Sequence, residues 1–79
     1  MNGKIEADGK IIDVEVILTF SKNNNNYIVY TDHVLDDYKE ERVLASKYNL
    51  NKGIYVLLGE LNESDLKVVE KEMEKLING

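Results

Sequence analysis

The chain has no cysteine, no proline and no tryptophan among its 79 residues. Without cysteine there are no disulfides and no thiolate metal sites. A domain this small must then hold together on a well-patterned core, on another subunit, or on both. Without proline, no strand is confined to a sheet edge on that ground. Histidine and arginine occur once each, at His33 and Arg42, which excludes the common zinc sites. No stretch approaches the ~18 consecutive apolar residues that a membrane span needs. Residues Met1–Glu6 lack the apolar core of a secretory signal, so the expected location is the cytoplasm, with no membrane partner. Basic residues are in deficit: 10 Lys and Arg face 15 Asp and Glu, for a net charge of −5. That balance, with no basic cluster, disfavours nucleic-acid phosphates and anionic lipid surfaces as partners.

What is present is periodicity. A hydrophobic fraction of 43% argues for one folded domain over residues 1–79 rather than a disordered tail. From Ile12 to Phe20 the residues alternate, with Ile12, Val14, Val16, Leu18 and Phe20 on one face and Asp13, Glu15 and Thr19 on the other. That is the period of a half-buried strand. Tyr27–Thr31 is wholly β-branched or aromatic, and the polar stretch Ser21–Asn26 turns one arm back on the other. Asp8-Gly9 is a favoured hairpin turn, because both central residues need positive φ; it sets a short edge strand before the long one. Asp32–Glu40 is acidic and aperiodic, and is read as a mobile loop with Val34, Leu35 or Tyr38 against the sheet. A strand over Arg42–Tyr48, a turn at Asn49–Gly53 and an apolar strand Ile54–Leu58 complete the sheet.

Asn62 is a suitable helix N-cap, followed by Glu63 and Asp65 where the helix dipole favours negative charge. Leu61 and Leu66 have the spacing of a hydrophobic staple. Leu66, Val69, Met73, Leu76 and Ile77 fall within about 100° of arc, and Gly79 can act as the C-terminal cap. The spacing predicts a helix roughly 22 Å long lying across the sheet's apolar face. The expected fold is α+β: an antiparallel four- to five-stranded meander (strands near 4–7, 10–20, 27–31, 41–48 and 54–58) with one C-terminal helix (63–77) on one face.

One helix covers only one face of such a sheet. Yet Ile11 and Ile17 lie opposite the Val14 set, and strands 27–31 and 54–58 present apolar groups on both sides. A solvated second face would forgo ~1.5–3 kcal/mol for each aliphatic left unburied. A second copy or a partner protein is therefore expected to cover this face, or the exposed sheet edge, with Ile11, Ile17, Tyr30 and Tyr55 as candidate contact residues.

Leu18-Thr19-Phe20, Tyr27–Asp32, Ala45–Tyr48 and the acidic-start terminal helix together resemble the YrzB-like family of small acidic proteins of unknown function from low-GC Gram-positive bacteria and relatives. The resemblance runs from about Ile5 to Ile77, and Thr19-Phe20 with Tyr27–Thr31 is its most specific part. It implies a bacterial cytoplasmic protein and supplies no activity, cofactor or catalytic residue to carry over. The chain departs from the family pattern at Leu66, where a Trp is frequent, and at Asn23–Asn26, where family loops are more acidic.

No constellation of residues points to catalysis. His33 beside Asp32, Asp36 and Asp37 invites a metal or acid–base reading, but the calcium-loop offsets are missing and a solvated loop explains the composition. Ser21, Ser46 and Ser64 have no nucleophile-elbow context, and the glycines form no phosphate-binding loop. Tyr27, Tyr30, Tyr48 and Tyr55 recur at strand positions where packing is the ordinary role. Single-stranded RNA stacking would have to overcome the acidic charge. The Leu66/Val69/Met73/Leu76 spacing fits a core-facing stripe better than a coiled coil of barely two heptads. The expected class is a non-catalytic interaction or accessory module, homodimeric or bound to another protein, with no cofactor and no metal. A weak RNA- or ribosome-associated factor is the alternative.

Overall fold

A computed structural model describes residues 1–78; Gly79, the expected helix cap, lies outside the described residues. Five strands precede one helix: β1 (Asn2–Ala7), β2 (Lys10–Lys22), β3 (Asn25–Thr31), β4 (Leu44–Asn51), β5 (Ile54–Leu57) and α1 (Glu63–Asn78). The α+β class and the C-terminal helix are as expected, but the meander is not open. The strands pair in sequence order and close into a barrel. An up-and-down meander of odd strand number leaves its first and last strands running the same way, so closure has to be parallel. It is, through Ile5 opposite Tyr55 and Glu6 opposite Val56.

Three two-residue turns fix the register. Asp8-Gly9, Asn23-Asn24 and Lys52-Gly53 all hold positive φ at both residues, between 52° and 81°. That is the mirror-image turn whose twist matches the flanking strands. Its tightness lets β2 and β3 run to Lys22 and from Asn25, so the expected six-residue loop shrinks to Asn23-Asn24.

β2 is the corner of the barrel. Its first part pairs with β1 up to Glu15, and its later part pairs with β3 from Glu15 onward. Between Val16 and Leu18 the register shifts, a bulge that places Ile17 as the extra residue. The bulge moves the following side chains to the other face. Val14 and Val16 point into the barrel with Ile5, Ile28 and Tyr30, while Leu18 and Phe20 join Tyr27, Val29 and Val69 beneath the helix. This corrects the reading that Ile12 through Phe20 share one face and that the helix meets all of it. Ile12 is in fact exposed.

Closure also answers the uncovered second face. β3 is buried on both sides from Tyr27 to Thr31 because the barrel interior takes one side and the helix the other. Leu44, Tyr48, Tyr55 and Leu57 pack around the interior, and Tyr48 meets Tyr55 edge-on at a centroid distance of 5.0 Å. The second apolar face belongs to the chain's own core.

Candidate interaction surface

The helix is set on the barrel by a polar knot at its first turn. Asn62 caps it: the Asp65 N–H donates to Asn62 Oδ1 at 2.8 Å, and the Asn62 N–H donates back to Asp65 Oδ2 at 3.3 Å. This is the reciprocal arrangement of a capping box. Asp65 also accepts from the Tyr27 hydroxyl at 2.8 Å and pairs with Lys47 Nζ at 3.1 Å. One carboxylate thus ties the helix start to β3 and β4. Its pKa lies below the ordinary value, chiefly through the Tyr27 hydrogen bond and then that from Lys47. Burial, then Asp65, pushes the Tyr27 hydroxyl up.

The knot turns the helix. Asp65 and Val69 are buried and Val68 and Met73 half-buried, so the inward face centres roughly 60° away from the apolar stripe at 100° per residue. Leu66 is therefore not a buried staple residue but is 47% exposed, and Val68, outside the apolar stripe, packs inward. Leu76 lies on the same side of the helix as Val69, yet it and Ile77 stand 54% and 76% exposed. The last helical turn therefore lies past the cluster in which Met73 packs against Tyr27, Val29 and Val69.

Among the described residues, part of β2 has an unpaired edge. β1 ends its ladder at Asn2 opposite Glu15, extended by Met1, whose ammonium donates to the Val16 carbonyl and whose carbonyl accepts from the Val16 N–H. Beyond Val16, β3 is the strand that β2 pairs with among the described residues. Lys22 and Asn25 flank a two-residue turn and bond each other, so the antiparallel alternation directs the backbone groups of Lys22, Phe20 and Leu18 toward β3. The N–H and C=O of Thr19 and Ser21 then face outward, and both residues are exposed. Phe20 between them stacks on Tyr27 at 5.0 Å and 15°.

The four contact residues expected from the sequence do not form one exposed face. Tyr30 is buried in the barrel, Tyr55 packs half-buried against the same core, and Ile17 lies in the cluster beneath the helix. Ile11 alone stands out, 51% exposed. Sequence reasoning placed Asp65 in the first helical turn but missed its ties to Tyr27 and Lys47, and it did not locate the free edge at Thr19–Ser21. The one signal for Asp65 was its spacing from Asn62.

The Asp32–Val43 connection is bonded internally. Asp36 Oδ1 accepts from the N–H groups of Tyr38 and Glu40, and Leu35 bridges Glu41. Arg42 Nε donates to both Asp32 oxygens at 3.1 Å, and these bonds hold the Asp32 carboxyl down to about 2. His33 lies 2.9 Å from Glu41 and 3.7 Å from Glu15, and its pKa is raised, first by the hydrogen bond to Glu41. It borders a cleft with Asn2, Asp13 and Val14. Among the described residues no group of three or more His, Asp or Glu is arranged to hold a metal ion. Val34, Leu35 and Tyr38, expected against the sheet, are exposed. No helix among the described residues is long and apolar enough to cross a membrane. No family model matches the chain, and neither a curated protein nor a solved structure shows significant similarity to it.

Proposed function

We propose that this chain is a non-catalytic interaction module of the bacterial cytoplasm, one of the YrzB-like small acidic proteins, that docks its partner as an added strand on the free edge of β2. The observation that carries this reading is the Thr19–Ser21 edge of β2, to which no strand pairs among the described residues. An edge supplies affinity through main-chain hydrogen bonds, and neighbouring apolar side chains supply selectivity. Soluble domains ordinarily blunt such edges with proline, charge or bulges. Here the bulge lies at the top of the segment, and Lys22 is the sole charge from Ile17 to Lys22.

The test is amide chemical-shift mapping with a panel of short extended apolar peptides. The reading requires shifts centred on Thr19 and Ser21, with Ser21→Pro weakening them. Shifts confined to Ile11 and the His33 cleft would overturn it.

A further inference from the structure

The strand that fits this edge best is the same strand of a second copy. We infer that the protein forms a two-fold dimer in which the two β2 edges pair antiparallel about Phe20; this rests on the free edge being the docking site.

Three observations select a second copy. The first is hydrogen bonding. An antiparallel pair of identical strands has its two-fold axis between a residue and itself. With Phe20 opposite the partner's Phe20, Thr19 comes opposite the partner's Ser21, and each exchanges N–H and C=O bonds with the other. That register uses every outward backbone group of Thr19 and Ser21. Centring the axis on Thr19 would instead leave Ser21 facing the bulged Ile17.

The second is side-chain chemistry. Phe20 occupies a non-hydrogen-bonded pair of the new ladder, where side chains approach most closely and aromatic pairs are favourable. The axis is perpendicular to the sheet, so both helices stay on one side of it.

The third is charge. Two copies at net −5 repel each other. Ile17–Ser21 carries no charge and Lys22 is positive, so this edge is a place where two acidic molecules approach without opposing carboxylates on the strand itself.

Ser21→Pro tests the pairing without disturbing the fold's own ladder, because the Ser21 N–H points away from β3. Sedimentation velocity on the full chain should give twice 9.1 kDa for the wild type at micromolar and higher concentrations. Ser21→Pro should raise the dissociation constant by about tenfold or more, with the far-ultraviolet spectrum unchanged. Phe20→Cys supplies an independent reading, since the chain has no other thiol. Facing Cα atoms at a non-hydrogen-bonded pair lie about 4.5 Å apart, within disulfide reach, so mild oxidation should link two copies covalently. Thr19→Cys, facing the partner's Ser21, should not link.

A wild type that stays monomeric at submillimolar concentration overturns the second copy. In that case the docking reading still stands if extended peptides shift Thr19 and Ser21, and falls with the dimer if they do not. A dimer that survives Ser21→Pro, with Phe20→Cys and Thr19→Cys linking equally, places the interface elsewhere and overturns the inference.

Discussion

Ile28 and Val29 are sequence neighbours that point to opposite sides of β3, and both are buried, at 0% and 1% exposure. Ile28 belongs to the barrel interior and Val29 to the cluster beneath the helix. Truncating each to alanine asks whether both sides of one strand are covered by the chain itself. Ile28→Ala removes three carbons, worth about 2.4 kcal/mol at ~0.8 kcal/mol each, plus a cavity cost that brings the loss to about 3–4 kcal/mol. Val29→Ala removes two carbons, about 1.6 kcal/mol, and about 2–3 kcal/mol with its cavity. For a chain of 79 residues the total stability is about 4–12 kcal/mol, so either change is large. Urea titration should lower both midpoints at constant slope, and melting should fall by about 4–8 °C for each kcal/mol lost. In an open one-sided sheet one of the two valleys would be wet, and its truncation would cost within about 0.5 kcal/mol of nothing. A negligible loss at either position would refute the double burial.

Tyr27→Phe deletes the hydroxyl that bonds Asp65 and should cost about 1.5–3 kcal/mol, the range for a hydrogen bond to a charged group. The folded-state pKa of Asp65 lies below its unfolded value, so its contribution is complete above about 3.9 and is lost as pH falls through the folded value. Acid unfolding followed by circular dichroism should therefore be less steep in Tyr27→Phe than in the wild type. Gly3→Ala would bring a Cβ to 2.9 Å from Val16 Cγ2 and 3.3 Å from the Tyr55 ring, an overpacking that should cost about 1–3 kcal/mol in the same titration. Lys52 holds φ at 52° in a turn that favours Asn-Gly, so Lys52→Asn should raise stability by up to about 1 kcal/mol.

Local chemistry was legible in the residues themselves. Asp8-Gly9 and Gly53 announced turns, Asn62 announced the helix start, and the alternation through Val14 and Val16 announced a strand. Three features were not legible, each because it depends on distant contacts. The bulge at Ile17 keeps the apolar spacing of Val16, Leu18 and Phe20 unbroken in sequence while sending Leu18 and Phe20 to the face opposite Val16. The roll of the helix follows Asp65, whose partners Tyr27 and Lys47 are far away in the chain, so an apolar stripe at helical spacing named some wrong residues. Barrel closure was half visible: the unbroken apolar runs at 27–31 and 54–58 demanded cover on both sides, and the chain supplied it by bringing β5 back to β1. Candidate contact residues chosen as the uncovered face, Ile17, Tyr30 and Tyr55, consequently went inside.

Closure with the helix outside is tested most directly by methyl and aromatic nuclear Overhauser contacts in the full chain. Ile5 should show contacts to Ile28 and across the parallel seam to Tyr55, while Val69 contacts Tyr27 and Val29 and has none to Val14 or Val16. Contacts from Val69 to Val14, with Ile5 silent toward Tyr55, would mean an open sheet with the helix on its inner face.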